Sequence, residues 1–261
     1  MSPKPTPEET SDHLEQRITL IKLDTAIEVL DVHTLDACKL EELNIKRQPM
    51  SLNKDSHLKP QFFAPRLNLP PPSDNLIHET VAFLNNKDAF TDPMSRAYHF
   101  ENDWNSYALS DTGFAYENRL WRSMSVCDYN PFKGLYKYDK PDFGVFMIMD
   151  LPGKDFPHMK AVIYHGLEGD DSTLCRGELL IILRLMLGQL RKVRLLHHKV
   201  APILIVSFMG KNARLLESYF EGQSLVVRSS ELYELSDKTT TSMVFKGFAE
   251  WYIGDPAGVT L

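Results

Sequence analysis

Apolar residues are spread unevenly along this chain, and the second half carries the clearer pattern. Residues 143–149 (Phe-Gly-Val-Phe-Met-Ile-Met) are apolar on both faces of an extended segment, which predicts a doubly buried strand. Leu151-Pro152-Gly153-Lys154-Asp155 reads as a turn, and 159–164 as a second strand, so the two should form an antiparallel hairpin. Asp170-Asp171-Ser172-Thr173 offers N-cap chemistry for a helix over about 174–196. That helix is apolar around most of its circumference (Leu179, Leu180, Ile182, Leu183, Met186, Leu187, Leu190) and should lie buried against a sheet. A continuous apolar strand follows at 202–209, then a short helix at 214–220 and a strand at 224–228, placed at a sheet edge. A terminal helix over 244–252 is stopped by Gly254 and Pro256.

The first half is less regular. Residues 1–12 are rich in Pro, Glu and Thr and read as a disordered tail. Leu14, Ile18, Ile21, Ile27, Leu30, Leu35, Leu40 and Leu43 recur at spacings near three and four, which favours helix. Thr19-Leu20-Ile21 and Ile27-Glu28-Val29-Leu30 leave short strands open as an alternative. Four proline sites between 46 and 72, ending in Pro70-Pro71-Pro72, mark a linker in extended geometry. Ser73 or Asp74 caps a helix through Leu84. An aromatic-rich region, 90–138, follows, in which Phe114, Leu120 and Met124 form a helical stripe up to about Ser125. The expected organisation is a tail (1–12), an N-terminal helical extension (13–45), a Pro-rich linker (46–72) and an α/β core domain (73–261) with a mixed central sheet flanked by helices.

Composition changes this picture little. Of the 261 residues, 43% are hydrophobic and 25% charged, as in ordinary globular domains. A net charge of −6 argues against broad, charge-driven wrapping of nucleic acid. Cys38, Cys127 and Cys175 are far apart and form no Cys-x-x-Cys pair, which suits reduced thiols in an intracellular protein, cytoplasmic or nuclear. No apolar run reaches membrane-spanning length, and no membrane partner is expected.

Candidate chemistry is sparse. Gly210-Lys211 follows a strand, but Ile205 stands where a phosphate-binding loop needs its first glycine, and Asn212 where it needs Ser or Thr. Arg191, Lys192, Arg194 and Lys199 cluster at the end of the long helix. They either complement its dipole or contact the phosphates of a nucleic acid. Pro141-Asp142 is the sharper feature, an acid at the mouth of a strand. Joined by acids from the next strand or helix, it can hold a hard cation such as Mg²⁺ or Mn²⁺, which orients a water against a scissile phosphate.

The order of elements over 114–228, opening its strands on Pro141-Asp142, resembles the PD-(D/E)XK, or restriction-endonuclease-like, superfamily. Its core is a helix, a three-stranded meander, a helix and a strand. The stretches Gly177-Glu178-Leu179-Leu180, Val206-Ser207-Phe208-Met209-Gly210 and Leu225-Val226-Val227-Arg228 are similar to an uncharacterised fungal family with this core. The resemblance implies catalytic roles for Asp142, Glu168, Glu178 and Glu117, the last as the optional first acid, with Asp142 and Glu168 as metal ligands. It also implies an acid-x-Lys pair at the end of the second strand, where this chain reads Ile163-Tyr164-His165-Gly166-Leu167-Glu168 and no lysine follows. Glu178, Arg176 or Lys160 would have to substitute. The reading that follows is a degenerate, non-catalytic binding or scaffold protein. The alternatives are a divalent-metal-dependent nuclease with a rearranged site and an accessory protein of a fungal metabolic pathway.

Overall fold

The structure is a computed structural model that describes residues 9–85, 92–114, 120–124, 126, 134–137 and 141–261. In chain order the elements are α1 (Ser11–Glu28), β1 (Thr34–Leu35), α2 (Ala37–Glu42), β2 (Ile45–Pro49), β3 (Phe63–Ala64), α3 (Asp74–Asn85) and α4 (Pro93–Ser106). Then come β4 (Arg122–Met124), β5 (Tyr136–Lys137), β6 (Phe143–Asp150), β7 (Met159–His165), β8 (Leu174–Cys175) and α5 (Arg176–Leu190). The chain closes with β9 (Ile203–Met209), β10 (Asn212–Glu221), β11 (Ser224–Ser229), β12 (Tyr233–Glu234), α6 (Lys238–Tyr252) and β13 (Asp255–Pro256).

One mixed sheet organises the molecule in the order β2-β11-β10-β9-β7-β6-β4, with β12 on β10 and β5 on β6. The pairs β7–β9 and β11–β2 are parallel and the other main pairs antiparallel. Helices cover both faces, because the strands alternate between two apolar sets. Ile163, Ile203 and Ile205 face a cluster with Leu20, Leu23 and Ile27 of α1 and the leucines of α5. Val162, Leu204, Val206 and Phe208 face a second cluster with Phe100 and Trp104 of α4 and Phe245 and Phe248 of α6. Every residue of α5 is buried, since it lies between the sheet and α1.

Local chemistry starts these helices where side chains can hold free backbone N–H groups. The Thr10 hydroxyl accepts from His13 N–H, Asp92 from Ser95 N–H with Pro93 next to the cap, and Asp237 from Thr240 N–H. At the start of α5 a Cβ on Gly177 would lie 2.6 Å from the Phe143 ring and 2.8 Å from that of His165. Only glycine lets this helix begin so close to the mouth of β6.

The expected strands at 143–149, 159–164, 202–209 and 224–228 share this sheet, and the 143–165 hairpin forms. Several expectations change. Residues 214–220 are not a helix: they belong to β10, a ten-residue strand. Helix-forming Ala-Arg-Leu-Leu-Glu is overridden by burial on both faces and by the two-residue Gly210-Lys211 turn that returns the chain onto β9. β11 is not at an edge, because β2 pairs along its outer side. The stripe ending at Met124 finishes in β4, where Arg122 pairs opposite Asp150, while 115–119 lie outside the described residues. The Pro-rich stretch expected as a linker supplies β2 to the sheet and β3 to a pairing with β13. In the N-terminal segment, 19–21 and 27–28 lie in α1, so the helical alternative holds there.

Candidate functional site

Asp142 stands where β6 begins, next to the end of β7. Its carbonyl accepts the Gly166 N–H at 2.7 Å, and Phe143 pairs opposite His165. A recess of about 10 Å³, room for one water, is lined by Asp142 with His33, His165 and Arg176. His165 is buried, its Nε2 has no hydrogen-bond partner, and burial pushes its pKa down to about 4. The imidazole is therefore neutral at pH 7.

The other acids have different partners. Glu178 sits in the first turn of α5 and is wholly buried. One carboxylate oxygen accepts the Cys175 N–H at 2.8 Å. The Arg214 guanidinium binds the carboxylate bidentately, with Nε at 2.9 Å and a shorter bond from Nη2. Burial alone would raise the Glu178 pKa, but the Arg214 charge outweighs it and holds the group down at about 2. Arg214 Nη1 donates to the Thr173 carbonyl at 2.8 Å. Burial drives the neighbouring Cys175 thiol far up, so it is no nucleophile.

Glu168 is 43% exposed and binds Arg96 at 2.9 Å and the Lys211 N–H at 3.1 Å. It lies over Gly210, where a Cβ would come within 2.0 Å of its oxygen. The Gly-Lys pair is thus a hairpin turn that seats this carboxylate. Glu117 lies outside the described residues.

Lys160, a possible replacement for the missing lysine, is at the opposite end of β7, roughly 16 Å away at strand spacing. It points into the other layer, where Nζ donates to the Tyr252 and Gly254 carbonyls at 2.6 Å each. Nζ also lies 3.8 Å from the centroid of the Trp121 ring. Burial holds its pKa well below that of an ordinary lysine. Arg176 does border the Asp142 recess, but its Nη1 is hydrogen-bonded to the Leu30 carbonyl.

Among the described residues, the donor set therefore does not fit Mg²⁺ or Mn²⁺. Glu178 is neutralised by an arginine and Glu168 by another. Among the described residues no three His, Cys, Asp or Glu side chains are arranged to hold a metal ion.

The basic cluster is at the far end of β6. Asp150, fully buried, draws Arg122 at 3.1 Å, Lys192 at 3.0 Å and Arg194 at 3.6 Å. Two of the four cations expected to face a nucleic acid are thus held within the fold. Arg191 and Lys199 are exposed. Asp150 was legible only as an acid closing an apolar strand. Arg214 carried no sequence signal as part of the site, because its partner Glu178 is 36 residues away.

No family model, curated protein or solved structure matches this chain. Among the described residues, no helix is long and apolar enough to cross a membrane. Two roomy grooves lie away from Asp142. One of about 890 Å³ runs along β2 past Arg47, Ser230 and Tyr233. Another of about 570 Å³ opens between the start of α1 and the β10–β11 turn.

Proposed function

We propose that this chain is a binding or scaffold protein built on a nuclease-like α/β core in which structural ion pairs occupy the place of a metal site. The observation that carries the reading is the Glu178–Arg214 pair. A carboxylate held at a pKa of about 2 by a bidentate guanidinium, with a backbone N–H on its other side, has no free oxygen geometry for a cation. Part of the element order supports the core: the antiparallel pair β6–β7, then α5, then β9 parallel to β7, while the helix expected to carry Glu117 falls outside the described residues. Asp142 stands at the opening of β6, where the resemblance places the Pro-Asp pair. The end of β7 beside it presents His165 and Gly166 in place of an acid and a lysine. On this reading, with Glu178 and Glu168 each held by an arginine and no lysine after Glu168, the core would not supply the charge that phosphodiester cleavage needs at its transition state.

The second reading, a divalent-metal-dependent nuclease with a rearranged site, draws on the recess shared by Asp142, His165 and Arg176. Purified protein incubated with single- and double-stranded DNA and with RNA in Mn²⁺ separates the two. The expected result is no cleavage and no rise in thermal midpoint on adding Mg²⁺ or Mn²⁺, with Asp142→Asn behaving as wild type. Cleavage that disappears in Asp142→Asn would overturn the scaffold reading and establish the second.

A further inference from the structure

Helix α1 carries two apolar stripes. The inner one, Leu20, Leu23 and Ile27, belongs to the cluster shared with α5. The outer one is Leu14, Ile18 and Ile21, left 43%, 42% and 39% exposed, and Thr25 continues it on the surface. The spacings of four, three and four are those of alternating d and a positions in a heptad. Glu15 and Lys22, both exposed, are seven residues apart, so they occupy the same e position along one edge of the stripe. Single exposed apolar residues are ordinary. A heptad-spaced row edged by charges of opposite sign is the pattern of a helix–helix seam.

We propose that α1 packs antiparallel against α1 of a second copy of this chain, forming a two-fold dimer. With the axis between Ile18 and Ile21, each Ile18 meets the other copy's Ile21, and each Leu14 meets the other copy's Thr25. In an antiparallel pair e positions face each other, so Glu15 of each copy faces Lys22 of the other. Their axial offset is two residues, about 3 Å, within the reach of a lysine side chain. Symmetry makes this two ion pairs. A parallel, in-register pair would instead set Arg17 against the other copy's Lys22, two like charges, so charge selects the antiparallel arrangement. On the opposite edge Arg17 binds Glu9 and Asp24 binds Arg184 within the chain, which leaves Glu15 and Lys22 to fix the register. A seam one helix wide is small, so the dimer is weak and concentration-dependent.

Sedimentation equilibrium of the full chain, at low ionic strength and from micromolar to millimolar concentration, tests this. The wild type should show a monomer–dimer equilibrium, and Ile18→Glu should abolish it. Glu15→Lys and Lys22→Glu, each alone, turn both attractions into repulsions and should weaken association by about tenfold or more. Mixing these two variants should restore it, since every facing pair is then opposite in sign, and the double variant should also associate. Far-UV circular dichroism checks that each variant folds. The charge variants, at exposed positions, keep the test valid if Ile18→Glu does not fold. A wild type that stays monomeric throughout would overturn the proposal. So would single charge variants that associate as the wild type does, or a mixture no tighter than its components.

Discussion

Replacing Glu101 by glutamine should stabilise this protein, and the gain should grow with pH. Glu101 lies on α4, is completely buried, and neither carboxyl oxygen has a hydrogen-bond partner among the described residues. Its neighbours on the helix, Ala97, Phe100 and Trp104, are core residues. Burial pushes its pKa from 4.5 up to about 9, so the folded state holds a proton that the unfolded chain releases. Between those two values stability falls by about 1.4 kcal/mol per pH unit; below the lower one the effect is absent. The full difference is about 6 kcal/mol, an upper figure because local opening and water entry would reduce it. Glutamine keeps the shape and cannot ionise. The advantage of Glu101→Gln over wild type should therefore widen by about 2.7 kcal/mol from pH 5.5 to 7.5. The difference between the two proteins is the right quantity to measure. His158, His165 and Lys160 have lowered pKa values whose effects run the other way, and they cancel in it. Urea unfolding followed by circular dichroism at pH 5.5, 6.5, 7.5 and 8.5 supplies it. A gap that stays constant to within about 0.5 kcal/mol over that range would refute a protonated Glu101.

Two further outcomes follow from the same geometry. Arg214→Met should destabilise by about 3–5 kcal/mol because it strands the Glu178 carboxylate, whereas Glu178→Leu/Arg214→Met should recover part of that loss in a double-mutant cycle, the Thr173 carbonyl and Cys175 N–H staying unmet; additive losses would mean the pair is not coupled. Gly210→Ala should cost about 1–2 kcal/mol, chiefly because φ is 57° there, and chemical denaturation showing no loss would mean the turn accepts a side chain.

The layers of this fold were legible in the sequence because they depend on period and length. Two-sided apolar runs placed β6, β7 and β9, and an apolar run too long for a strand placed α5. β10 was misread because its local residues favour a helix, while its true environment, β9 on one side and β11 on the other, is set by contacts the sequence does not order. The acids of the candidate site were found as residue types, and Asp142 does open β6. Their partners were not found. Pairs such as Glu178–Arg214 and Glu168–Arg96 join positions 36 and 72 residues apart, and no short-range pattern records such a match.

The buried charges share a further logic. Irregular segments crossing the core bring backbone groups that no ladder satisfies, and leaving them unpaired is costly. In each instance the side-chain charge matches the backbone group it meets. Lys160 donates to the carbonyls of Tyr252 and Gly254, at and just beyond the end of α6. Arg228 donates to those of Leu58 and Lys59. Its partner Glu217 accepts the N–H groups of Gln61 and Phe62. Arg214 donates to Thr173 and Arg194 to Leu151. A hydrophobic replacement would fill the same volume but leave these carbonyls and N–H groups unmet. These buried side chains therefore fix where residues 58–62, 173 and 252–254 dock on the sheet. They explain why a core with this many charged groups can be well packed.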